Sequence, residues 1–195
     1  MITFRTLPIE LLEAEAELLV CAYFADLIPL RGDASWVDWR LNGQVSQLLL
    51  ANRAQGEYGE ALLLPSRGKL PCPKVLLLGM GESRELTSER LVEGCARLIE
   101  RAAKMQVRGL AISVIGREQL AVEYEQNVTD MIDGLLAGCN RLFSSEEEFT
   151  VIFVEDEKRR FDVLLKTVRF AIESFTYRFL ADRDPSCIGG NPQES

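Results

Sequence analysis

The chain has 195 residues, 47% apolar and 27% charged, with a formal net charge of −8, five cysteines and no histidine. That length and apolar share give one domain with a full core. No apolar run reaches the roughly 18 residues that span a bilayer, the negative charge repels nucleic-acid backbones, and the missing histidine excludes Ser–His and Cys–His mechanisms.

Met1-Ile2-Thr3-Phe4-Arg5 lacks the basic-then-apolar design of a secretory signal, which places the protein in the cytoplasm. Ile2 to Leu7 alternates as a strand does, and the acidic stretch from Pro8 to Glu17 has room for a helical turn or two. Leu18 to Phe24 is a continuous apolar run of the length of a buried strand. A loop through Pro29 and Gly32 follows, and Asp33 or Ser35 can cap the next helix. There Val37, Leu41, Val45 and Leu48 form one stripe at helical spacing. Gly56 and Gly59 mark a turn before a second strand at Glu60 to Pro65. Ser66 to Lys69 reads as a hairpin-like loop, and Lys74 to Gly79 as a third, central strand. Thr87 or Ser88 caps a helix whose inward face is Leu91, Cys95, Leu98, Ile99 and Ala102.

Leu110 to Ile115 is a strand ending at Gly116, and a long helix then carries Val128, Met131, Ile132, Leu135, Cys139 and Leu142. The last strand is Glu148 to Val154, and the last helix buries Phe161, Leu164, Leu165, Val168, Ile172, Phe175 and Phe179. Residues 181–195 read as a flexible, turn-rich tail. Strands alternating with helices imply an α/β sandwich with a mixed, mostly parallel sheet flanked by helices. Cys21, Cys95 and Cys139 lie on apolar strand or helix faces as buried thiols, whereas Cys72 and Cys187, in turn-rich surroundings, are expected to react with alkylating reagents. The odd count and wide spacing fit neither a disulfide framework nor a zinc site.

Three constellations invite a chemical reading. Gly79-Met80-Gly81 follows a strand and precedes a helix, where a phosphate loop sits, but Arg84 stands in place of a third glycine, and a tight turn explains the pair as well. The carboxylates of Ser144 to Glu148 and of Asp156-Glu157 fit solvated loops and helix N-termini. Asp130 and Asp133 stand three apart on an exposed helix face, too few for a metal site. Trp36, Trp39 and Arg40 are the third. Two tryptophans in one helical turn serve either as anchors packing the helix onto the sheet or as a contact surface. Arg40 can pair with Asp38 or with a carboxylate across a groove.

The segment from Pro29 to Leu49 resembles the start of the first long helix in the N-terminal domain of the leucyl aminopeptidase family. Gly56-Glu57-Tyr58-Gly59-Glu60-Ala61-Leu62-Leu63-Leu64-Pro65 is similar to that family's glycine-rich turn and strand, and Leu70-Pro71 with Lys74 to Gly81 to its next strand. The resemblance runs over residues 1–180. It implies a three-layer, macro-domain-like fold that in the family helps assemble a hexamer beside a two-metal peptidase domain. The family's metal ligands lie in asparagine-threonine-aspartate-alanine-glutamate-glycine surroundings, and these 195 residues contain no such run.

The expected function is therefore that of a non-catalytic N-terminal-type domain, without metal or cofactor, that self-associates or docks onto a partner subunit through Trp36, Trp39 and Arg40. Nucleic acid and membrane are not expected partners. The alternatives are a small-ligand module, holding a nucleotide or ADP-ribose-like molecule at Gly79, Gly81, Arg31, Gly32 and Asp33, and the accessory half of a split metallo-aminopeptidase.

Overall fold

The structure is a computed structural model that describes residues 2–116, 124–143 and 147–183. Strands β1 (Ile2–Leu7), β2 (Leu18–Tyr23), β3 (Ala61–Pro65), β4 (Lys74–Gly79), β5 (Gly109–Ser113) and β6 (Phe149–Val154) form one sheet in the order β1-β6-β5-β2-β4-β3. Every neighbouring pair is parallel except β3 with β4. These two are joined through the expected hairpin-like turn, where Arg67 and Gly68 take positive φ. Lys74–Gly79 is thus second from an edge and not central. β3 covers its outer side, which is why its sequence is as apolar as that of a central strand.

Alternation along the strands builds two cores. Leu18 and Val20 of β2, Leu76 and Leu78 of β4, and Phe149, Val151 and Phe153 of β6 point to one side. There they meet α3 (Ser88–Lys104), α4 (Tyr124–Leu142) and α5 (Lys158–Arg183). Leu19, Cys21 and Tyr23, with Val75, Leu77, Ile152 and Val154, point to the other. That side is covered by α1 (Gly32–Arg40), α2 (Gln44–Leu50) and a short 3-10 turn at Leu11–Glu13. The result is the α/β sandwich that the alternating pattern implied, in the three-layer form that the family resemblance implied. Each large side chain so buried contributes roughly 1.5–3 kcal/mol.

The stripe Val37, Leu41, Val45, Leu48 belongs to two helices and not one. The chain breaks between Arg40 and Gln44, with Asn42 at φ 60° and Gly43 at φ 74°. Val37, Leu41 and Val45 remain buried across the break, so a stripe continuous in sequence spans a kink. Neither Asp33 nor Ser35 caps α1. The helix begins at Gly32 (φ 55°), Ser35 donates back to the Gly32 carbonyl, and Asp33 is turned toward β5. Thr87 does cap α3, accepting from the Arg90 N–H.

Cys72, expected to be reactive, is fully buried, and its thiol donates to the Ala14 carbonyl at 3.1 Å. Burial raises its pKa, so both access and thiolate are lacking. Cys21, Cys95 and Cys139 are buried free thiols, as read, and Cys187 lies outside the described residues. Asp130 is buried and bonded to Gln126, while Asp133 is exposed; the two do not share an exposed face. Leu142 and Ile172 are exposed instead of packed. The last helix runs to Arg183, three residues into the segment expected to be tail; residues 184–195 and the side chains of Phe175 and Phe179 lie outside the described residues.

Candidate functional site

Two neighbouring places at the C-terminal ends of the parallel strands concentrate polar and aromatic groups. This is where open α/β sheets present ligand crevices. The first is a cleft between β2 and β5, bounded by Tyr23, Leu30, Arg31, Gly32, Asp33 and Ser113. The Ser113 hydroxyl donates to Asp33 at 2.5 Å and ties the start of α1 to the end of β5. The cleft measures about 60 Å³, against roughly 300–1,000 Å³ for a small-molecule site.

Of the expected ligand residues, Arg31, Gly32 and Asp33 line this cleft; Gly79 and Gly81 do not. The Gly79 N–H donates to Glu60 O and the Gly81 N–H to Gly56 O, both at 2.9 Å, and the Met80 N–H donates to Tyr23 O. A Cβ on Gly79 would come within 2.3 Å of Glu57 O, and Gly81 has φ 77°. The glycines let β4 turn against the Gly56–Glu60 segment, and the amides that would cradle a phosphate are occupied. Glu60 organises that segment by accepting from the N–H groups of Gln55, Gly56 and Glu57.

The second place surrounds Trp36. The tryptophans do not anchor α1 to the sheet: Trp36 is 60% and Trp39 67% exposed. Val37 and Ala34, on the opposite side of the helix, do the anchoring. The indole rings meet edge to face at 6.5 Å, and the Arg40 guanidinium lies 5.5 Å from the Trp39 ring centre. Such cation–π contacts are worth about 0.5–1 kcal/mol at exposed sites. Arg40 does not pair with Asp38, whose carboxylate instead accepts from the N–H groups of Val45 and Ser46 and from the Ser46 hydroxyl.

Beside Trp36 opens a cleft of about 100 Å³ lined by Ile9, Glu10, Asp33, Ser113, Glu155 and Asp156, among others. Glu155 is buried; it accepts from the Tyr124 hydroxyl at 2.9 Å and lies 3.2 Å from Arg160 Nε. Sequence reasoning missed Ser113 and Glu155. The available signal was position: each is a polar residue at the C-terminal end of an apolar strand run. Among the described residues, no group of three or more Cys, Asp or Glu is placed to hold a metal ion, and no helix is long and apolar enough to cross a membrane.

Known proteins share the fold. Solved structures similar to it include a tomato leucine aminopeptidase mutant (TM-score 0.61, 14% identity, 88% of this chain and 36% of that one). A Trypanosoma brucei macrodomain in complex with ADP is also similar (TM-score 0.67, 14% identity, 86% and 68%). Among curated relatives, a probable cytosol aminopeptidase of Synechocystis is 27% identical over 134 residues, 69% of this chain and 27% of the relative. One from Alkaliphilus oremlandii is 24% identical over 107 residues, 55% and 21%. The chain thus spans about a quarter of the length of these curated relatives. The family model described as "Cytosol aminopeptidase family, N-terminal domain" matches residues 26–141. The fold, the curated relatives and this match agree, and the chain belongs to the cytosol aminopeptidase family through its N-terminal domain.

Proposed function

We propose that this chain is a non-catalytic association domain of the cytosol aminopeptidase family, working in the cytoplasm and docking through the outer face of α1. The observation that carries the reading is the exposure of Trp36 and Trp39 together on one helical turn. Large apolar rings held in water at a fixed geometry mark contact surfaces. The occupant is a second copy or a separate subunit bearing the catalytic half. Absence of peptidase chemistry in these 195 residues is supported by their lack of the family's metal-binding run.

The test has two arms. Purified chain incubated with leucine p-nitroanilide and manganese or zinc is expected to show no metal-dependent turnover. Immobilised chain is expected to retain a second copy or a catalytic-domain subunit, and the Trp36→Ala/Trp39→Ala variant to lose it. Robust turnover, or strict monomer behaviour with no partner retained, overturns the reading.

A second reading, binding of a nucleotide or ADP-ribose-like ligand, is favoured by the cleft between Arg31–Asp33 and Ser113 at the strand ends. Its small volume and the occupied amides at Gly79 and Gly81 weigh against it. A concentration-dependent rise in melting temperature with ADP-ribose would favour it over the first.

A further inference from the structure

The two edges of the sheet differ. At one edge lies β1, which carries a charged side chain, Arg5, exposed in mid-strand. At the other lies β3, Ala61-Leu62-Leu63-Leu64-Pro65, with no charge along its length. Unpaired backbone groups on an edge strand are a template for a further strand, and a mid-strand charge is one way of closing it. β1 is closed in that way and β3 is not.

The ladder fixes which groups of β3 are left over. Glu60 O accepts from the Gly79 N–H, and the Ser66 N–H donates to Pro73 O, both at 2.9 Å. In an antiparallel pair every second residue bonds across to its partner. Leu62, opposite Leu77, and Leu64, opposite Val75, therefore turn their backbone groups to β4. The N–H and C=O groups of Ala61 and Leu63 point away from the sheet. Pro65 adds a C=O but no N–H, so it ends the row. Among the described residues nothing is bonded to these groups.

The side chains beside this row are apolar on both faces. Leu63 is 47% exposed on one face. On the other, Leu62 is only partly buried against the second core. A strand laid along β3 covers both leucines, and because its own side chains alternate between the faces, apolar residues suit it on each. The ends of β3 carry opposite charge. Exposed Glu57 precedes the strand, and exposed Arg67 and Lys69 follow it in the turn to β4. An antiparallel occupant begins beside Arg67 and Lys69 and ends beside Glu57. Acidic residues at its start and basic residues at its end match that order. In such pairing the main chain supplies affinity and the side chains supply specificity.

We propose that the outer edge of β3 docks an extended segment of another protein: an apolar run matching the five residues of β3, acidic before it and basic after it, added antiparallel to the sheet. The inference goes beyond the association reading, which rests on α1, and does not depend on it.

Fluorescence anisotropy of the full chain with a labelled peptide, Asp-Asp-Val-Thr-Val-Thr-Val-Lys-Lys, tests it. Saturable binding is expected. N-methylating either the valines or the threonines separates strand pairing from simple apolar contact, because only every second amide bonds across. One set is expected to weaken binding by about tenfold or more and the other to leave it unchanged. Leu63→Lys gives β3 the mid-strand charge that β1 has, and is expected to weaken binding to a similar degree. Leu63 is exposed, and unchanged circular dichroism confirms that the variant folds. No saturable binding, equal loss from both methylations, or binding as tight after the acidic and basic ends are exchanged overturns the proposal. So does a chain that dimerises by itself and becomes monomeric on Leu63→Lys, since a second copy then takes the edge. The Trp36→Ala/Trp39→Ala variant is expected to bind the peptide unchanged. If that variant loses the peptide and Leu63→Lys does not, the β3 inference falls and the association reading through α1 stands.

Discussion

Asp38 shows how one side chain can set the path of the chain. It sits in α1, yet its carboxylate accepts from the N–H groups of Val45 (2.8 Å) and Ser46 (3.0 Å) and from the Ser46 hydroxyl (2.5 Å). Those N–H groups belong to the first turn of α2, where no intrahelical partner exists. Gly43, in the N-cap position, has no side chain to offer. A carboxylate from the preceding helix therefore does the work of a cap and fixes the angle between α1 and α2. Replacing a capping carboxylate by alanine costs about 0.5–2 kcal/mol. Asp38→Ala is expected to fall in the upper half of that range, because three donors lose their partner, and Asp38→Asn to cost less. The midpoint of urea unfolding measures both; an unshifted midpoint for Asp38→Ala would show that water replaces the carboxylate without loss.

At the scale of elements, α3 and α4 approach so closely that two positions tolerate no side chain. A Cβ on Gly134 would lie 2.2 Å from Val92 O and 2.7 Å from Cys95 Cβ, and one on Gly138 would lie 2.8 Å from Ala96 O. Both helices are held by backbone and Cβ contacts, so little can yield. Gly134→Ala gains about 1 kcal/mol of helix propensity, but the clash pushes two buried helices apart, and overpacking of that kind typically costs about 1–3 kcal/mol. A lowered melting temperature is expected, and a raised one would mean the helices slide freely. These helices also show what the sequence could and could not reveal. The inward face of α3 was legible because Leu91, Cys95, Leu98, Ile99 and Ala102 keep helical period, and all are buried. The kink after Arg40 was not, because Leu41 and Val45 stay buried on both sides of it and the stripe runs on unbroken. Of the candidate site, the tryptophan pair Trp36 and Trp39 is legible in composition and Arg31–Asp33 follow from the resemblance to macro-type folds, whereas the spacing of Gly79 and Gly81 serves backbone packing. A glycine required by backbone packing looks the same, in sequence, as one required by a phosphate.

For the whole molecule the governing quantity is the excess of carboxylate, 30 acidic against 22 basic residues. Acidification acts on it in two opposed ways. Protonation toward the isoelectric point near 4.8 relieves self-repulsion and favours the compact state. It also removes carboxylates that the fold uses as hydrogen-bond acceptors. The N–H groups of Arg159 and Arg160 at the start of α5 hold the Glu157 pKa below its ordinary value. Glu89 is lowered by its own N–H and by the Thr87 hydroxyl. At Asp26, slight burial acts upward but is outweighed by the Ser83 N–H and hydroxyl. A pKa lower in the folded state means that the unfolded chain binds the proton more tightly. The stabilisation is therefore fully present above the unfolded carboxylate value of about 4 and is lost as pH falls through the folded one. Comparing wild type with Glu157→Gln isolates this effect, since both share nearly all of the repulsion. The wild type is expected to melt higher at neutral pH, with the gap closing below about pH 4 as Glu157 becomes neutral. A gap that persists unchanged to the acid end would mean that the side chain's shape, and not its charge, holds the first turn of α5.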